Sequence, residues 1–101
     1  MEVERSAPPN ADFLQRVRAE ASRVGAALIF DESTSGFRRV LGGHHLVYGV
    51  NPDLAVFGKT LGNGHAITAV VGVREVMDVA NDIFLSSTLW SERVVPAASM
   101  D

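Results

Sequence analysis

Residues Ala26 to Gly62 read AALIFDESTSGFRRVLGGHHLVYGVNPDLAVFGKTLG. Within this stretch an apolar run, Ala26 to Phe30, ends abruptly in Asp31-Glu32, and a second, Leu54 to Phe57, ends in Gly58-Lys59. Short continuous apolar runs bounded by polar or glycine-rich segments are buried-strand patterns. Each run delivers a charged residue at its C-terminal tip, the edge at which open parallel α/β sheets hold ligands. The pattern therefore predicts an α/β fold in which Asp31 and Lys59 meet at one sheet edge.

Working outward, the chain supplies what such a unit needs. Ser6 to Asn10 carries Pro8-Pro9 and reads as a loop. Asn10 is a candidate N-cap, Asp12 suits the first turn, and Phe13, Leu14, Val17, Ala21 and Val24 recur at helical spacing up to Gly25, a C-terminal glycine. Arg16, Arg18, Glu20 and Arg23 are expected on the wet side of this helix. A helix running directly into a strand is the αβ half of a βαβ unit. Ser33 to Gly36 is a turn, Gly42 to His45 irregular, and Asn51-Pro52-Asp53 a turn before the second strand. Ile67 to Val73 is a third strand candidate. Arg74 to Asn81 then reads as a short helix with Val76, Met77 and Ala80 inward. Glu92 onward starts another helix, and Met1 to Val3 reads as the tail of a strand.

Composition narrows the function. The chain of 101 residues has 9 basic and 12 acidic side chains and a net charge of -3, with no block of lysine or arginine to track phosphates, which argues against nucleic acid as a partner. The lack of cysteine excludes disulfides, thiolate chemistry and finger-type zinc sites. No apolar run has the roughly 20 residues of a membrane span, and the N-terminus is too polar for a signal peptide, so a cytoplasmic protein is expected. The helices are too few to cover both faces of a parallel sheet, so the sequence reads as a slice, residues 1–101, of a larger domain.

Lys59 is the single lysine of the chain. Most lysines are solvated surface groups, but this one follows an apolar strand between glycines, where a poorly solvated amine becomes a nucleophile. Asp31 is either a turn former or a carboxylate that holds a cation, and beside a Schiff-base lysine that cation is the pyridine nitrogen of pyridoxal phosphate. Glu32 is expected to brace the loop through Arg38 or Arg39. His44-His45 with Asp53 makes a poor metal set, because adjacent histidines diverge in an extended chain. GKTLGNG, Gly58 to Gly64, lacks the order of a phosphate-binding P-loop.

In order, IFDE and SGFR (Ile29 to Arg38), YGVNPDL (Tyr48 to Leu54) and FGKTLGNG (Phe57 to Gly64) resemble the cofactor core of the class-III aminotransferases, fold-type I pyridoxal-phosphate enzymes that include glutamate-1-semialdehyde aminomutase. The resemblance covers essentially the whole chain. It implies part of the large domain, a mostly parallel sheet with flanking helices, that begins mid-domain and stops mid-helix. It further implies pyridoxal 5'-phosphate as cofactor, Asp31 paired with the pyridine nitrogen, and Lys59 joined to the cofactor as a Schiff base and moving a proton. Ser33 would flank the ring where the family often has valine, and Thr34 would lie near the ring hydroxyl. Thr88, in SSTLW, would reach the cofactor phosphate of the neighbouring subunit in a homodimer.

The resemblance implies transfer of an amino group from an amino acid or amine to a keto acid or aldehyde. A 2,1-aminomutase is the alternative within the family. A truncated, inactive fragment or a small non-enzymatic α/β protein is the alternative outside it.

Overall fold

The computed structural model of the chain describes residues 7–89, 92–98 and 100. The strand tail expected at Met1 to Val3 lies outside them. Helix α1 spans Phe13–Val24. Its N-cap is Asp12 rather than Asn10, whose carbonyl instead accepts the Phe13 N–H at 2.9 Å. At the other end Gly25 takes φ 70°, a left-handed conformation that glycine adopts without a Cβ penalty. Ala26 N–H then turns back onto Ala21 O at 2.9 Å, closing the helix and aiming the chain at the first strand.

Strand β1, Ile29–Asp31, pairs in parallel with β2, Leu54–Phe57, in the register Ile29↔Leu54, Phe30↔Ala55, Asp31↔Val56. Strand β3, Ala69–Gly72, pairs with β2 in the antiparallel sense, so the order is β1-β2-β3. The α/β expectation holds; within these residues the sheet has one parallel and one antiparallel pair. A parallel third strand needs a crossover that returns the chain to the starting edge. Between Phe57 and Ala69 there is one 3₁₀ turn, Lys59–Gly62, and irregular chain, which only reverses direction. Gly72 permits that close pairing, because a Cβ there would lie 2.3 Å from Asp53 O.

The core sits between α1 and the first strand pair, where Leu14, Phe30 and Val50 are buried with Leu28 and Tyr48 against them. Phe13 and Val24, expected inward, are 52% and 55% exposed. Arg18, expected in water, instead puts Nη1 2.7 Å from Asp53 Oδ2 with only 25% of its side chain exposed. β1 is buried on one side alone, at Phe30, while Ile29 is exposed. Beyond β3, helix α2 (Arg74–Met77) runs into a 3₁₀ turn, Asp78–Asn81, with Val76, Met77 and Ala80 half-buried as expected. Helix α3, Val94–Ala98, buries Val95 and packs near the turn Lys59–Gly62.

Candidate active site

The parallel register brings the two charged tips to one edge. Asp31 is the last residue of β1, opposite Val56, and Lys59 follows the end of β2 by way of Gly58. Asp31 is exposed, and its Oδ1 accepts the Ser33 N–H at 2.9 Å. The Ser33 hydroxyl first, and its N–H second, hold the Asp31 carboxyl below its usual range, and the Lys59 charge adds to them. The acid is therefore ionised at neutral pH.

Lys59 takes φ 44°, the left-handed region, after an extended Gly58. That conformation is strained for a side chain with a Cβ, and such strain clusters where a structure fixes a functional group. The Lys59 Nζ donates a hydrogen bond to Thr34 Oγ1. A Cβ on Gly58 would lie 3.7 Å from Ser33 Cβ, so the tip of β2 packs beside the turn that follows β1. Asp31, Ser33, Thr34 and Lys59 thus converge. Thr88 lies in an exposed turn between α2 and α3, and among the described residues no hydrogen bond or ion pair joins it to the other four.

Glu32 braces the loop as expected, but through other partners. Successive side chains of a strand alternate in direction, so Glu32 points away from Asp31 and into the protein, where it has 0% exposure. Its partners are not Arg38 and Arg39. Oε1 accepts the His45 N–H and meets His45 Nδ1, each at 2.8 Å. Oε2 accepts the Ser35 hydroxyl at 2.7 Å and the His44 N–H at 2.8 Å. An ionised carboxylate only accepts, so His45 Nδ1 carries the proton. Burial pushes the Glu32 carboxyl up, but the donors from Ser35, His45 and His44 outweigh it and leave the group below its ordinary value.

The glycine pair at 42–43 was the available signal for this pocket. A Cβ on Gly43 would stand 2.2 Å from the His45 ring and 3.2 Å from Glu32 Oε1. The two histidine rings part company, His45 tilting against Phe30 at 5.9 Å and His44 meeting Tyr48 edge-on at 5.4 Å. Between Glu32 and His44 the chain makes an outer excursion whose neck is closed by Phe37 N–H on Gly42 O at 2.8 Å, with the Phe37 ring on Phe57.

A carboxylate kept ionised and an amine held at the same strand edge can anchor a cationic group and present a nucleophile or proton carrier next to it. A model of the family described as Aminotransferase class-III matches residues 6–100. The chain belongs to the class-III aminotransferase family. It is 48% identical over 92 residues to the 3-aminobutyryl-CoA aminotransferase of Cloacimonas acidaminovorans (strain Evry), a match covering 88% of this chain and 22% of that protein. Among solved structures, this class-III member superposes on the PLP internal aldimine form of the Sphingopyxis sp. MTA144 FumI protein with a TM-score of 0.87 at 32% identity, covering 96% of this chain and 23% of that one. An omega-transaminase from Sphaerobacter thermophilus gives 0.82 at 36% identity, with 93% and 23% covered. The chain thus spans 22–23% of the length of these relatives, and its fold is part of the fold-type I large domain.

Proposed function

We propose that residues 1–101 form part of the cofactor-binding large domain of a pyridoxal-phosphate-dependent transaminase, in which Asp31 and Lys59 hold the cofactor. The observation that carries this reading is the meeting of an ionised Asp31 and the single lysine at the C-terminal edge of the parallel pair β1–β2. These residues fit the cofactor's chemistry. Its ring nitrogen is a cation when protonated and needs a carboxylate that stays charged, and its aldehyde needs an amine. The cofactor, when bound, supplies an electron sink for breaking a bond at the carbon that bears the amino group.

The protein's part is positional and acid–base. Asp31, kept anionic by Ser33, would hold the ring nitrogen in its protonated state. Lys59 Nζ would be the covalent anchor and, when not so engaged, would take and return the proton of the transfer. Ser33 and Thr34 would offer the ring two small hydroxyl side chains, and Thr34 orients the amine of Lys59. Thr88, exposed and outside this cluster, is assigned to the phosphate bound by a second copy in a homodimer. The substrates are an amino acid or amine and a keto acid or aldehyde. The relatives are described as aminotransferases and transaminases, which favours transamination over the 2,1-aminomutase reading. The proposal places this action in the cytoplasm; among the described residues no helix is long and apolar enough to cross a membrane.

The test is to add pyridoxal phosphate to the chain, reduce with borohydride and map the labelled peptide. Label on Lys59 in excess over the N-terminal amine, lost in Lys59→Ala, is the expected result. Equal labelling of the two amines, or a Schiff-base absorbance that survives Lys59→Ala, would remove Lys59 from the role.

A further inference from the structure

Glu32 and Asp31 are adjacent carboxylates with opposite environments. Asp31 is exposed, whereas Glu32 is wholly buried. A buried charge persists only where hydrogen bonds replace its water. Here each oxygen receives two donors, and they come from two separated pieces of chain: Ser35 on the outgoing side, His44 and His45 on the returning side. Gly36 N–H on Glu32 O at 2.8 Å closes the outgoing turn from the backbone as well. Inside that closed turn lie Ser33, which donates to Asp31, and Thr34, which accepts from Lys59.

We propose that Glu32 is a positioning residue of the candidate site: its carboxylate clamps the Ser33–Ser35 turn to the backbone at His44–His45, and so presents Ser33 to Asp31 and Thr34 to Lys59. The consequence for cofactor binding rests on the reading of Asp31 and Lys59 given above, whereas the clamp itself is a property of the chain alone. Loss of the Glu32 charge by itself would push the Asp31 midpoint down, so a rise in Glu32→Gln reports the loosened Ser33 turn.

The experiment compares the full chain with Glu32→Gln and His45→Phe. Glutamine keeps the shape but turns one oxygen into a donor facing donors, and phenylalanine removes one donor while keeping the ring against Phe30. The first readout needs no cofactor: the Asp31 carboxyl is titrated by NMR, and amide exchange is followed at Ser33, His44 and His45. Asp31 is faced by Ser33 and by the charge of Lys59. Glu32→Gln is expected to speed exchange at all three amides and to move the Asp31 midpoint up towards the ordinary carboxylate range, with His45→Phe giving a smaller move in the same direction. The second readout is borohydride-trapped pyridoxal phosphate on Lys59, for which Glu32→Gln should need roughly tenfold more cofactor for half-labelling.

An unchanged Asp31 midpoint in either folded variant overturns the proposal, even if the wild-type chain labels normally on Lys59. If Glu32→Gln does not fold, His45→Phe alone decides. A shifted midpoint together with no labelling of the wild-type chain would leave the clamp standing and sink the cofactor reading instead.

Discussion

Asp53 and Leu28 hold each other by two bonds: the Asp53 N–H donates to Leu28 O at 2.8 Å, and the Leu28 N–H donates to Asp53 Oδ2 at 2.7 Å. Each stands immediately before its strand, so this closed pair fixes the register from which Asp31 ends opposite Val56. Arg18 adds α1 to the same oxygen at 2.7 Å. The Leu28 N–H first, and Arg18 second, hold the Asp53 carboxyl below its ordinary value. Asp53→Ala is therefore expected to lower Tm more than Arg18→Ala, because only the former also leaves the Leu28 N–H without its acceptor. Thermal melts of the two variants check the order.

Phe30 is 4% exposed and joins Leu14 and Val50 in the core. Truncation to alanine leaves a cavity between α1 and the sheet, and Phe30→Ala should destabilise by about 3–5 kcal/mol in urea unfolding. A loss under about 1 kcal/mol would mean that the α1–β1 contact contributes little.

Lys59→Gly and Lys59→Ala both remove the amine and its bond to Thr34, but only glycine relaxes the left-handed backbone at φ 44°. The glycine variant should be the more stable of the two by about 1 kcal/mol. Both should lose cofactor labelling alike.

Glu32, Asp31 and Asp53 all have depressed carboxyls. For a group whose folded value lies below its unfolded one, the stabilisation is complete above the unfolded value and is lost as pH falls through the folded value. Stability should therefore hold at neutral pH and fall once pH drops below the ordinary carboxylate values, 4.5 for Glu32 and 3.8 for the two aspartates. Glu32→Gln should be less stable at pH 7 and lose less on acidification. Urea melts from neutral to acid pH, run on both proteins, measure the slope.

Gly43→Ala pushes a methyl group into the His45 ring and towards Glu32. Overpacking of this kind should cost about 1–3 kcal/mol and speed amide exchange at His45. Gly25→Ala meets no neighbour within 4 Å, and its cost comes from the positive φ alone.

Local signals in the sequence were enough for α1, β2 and the convergence of Asp31 with Lys59. Gly25 marks the helix end, and LAVF bounded by Asp53 and Gly58 has no competing reading. What was illegible depended on contacts far along the chain. Nothing near Arg18 announces Asp53, so helical spacing puts it in water, and nothing near Glu32 announces the backbone of His44 and His45, so the nearby Arg38 and Arg39 look like its partners. The direction of β3 was hidden for a similar reason: an apolar run has the same pattern in either sense, and only the short connection after Phe57 decides. Thr88 rests on the family resemblance alone.

The neck at Phe37 and Gly42 has a further meaning for how this segment can change. The excursion it closes is bounded by this one bond, and Leu41, just before its returning end, is 92% exposed. Lengthening a loop whose ends are already together costs only about 0.6 kcal/mol per doubling. Glu32, Ser35, His44 and His45 all lie on the inner side of that neck. Insertions or tags beside Leu41 enter outside the neck, away from the bonds that join Asp31, Ser33, Thr34 and Lys59, and this is where the chain has room to grow.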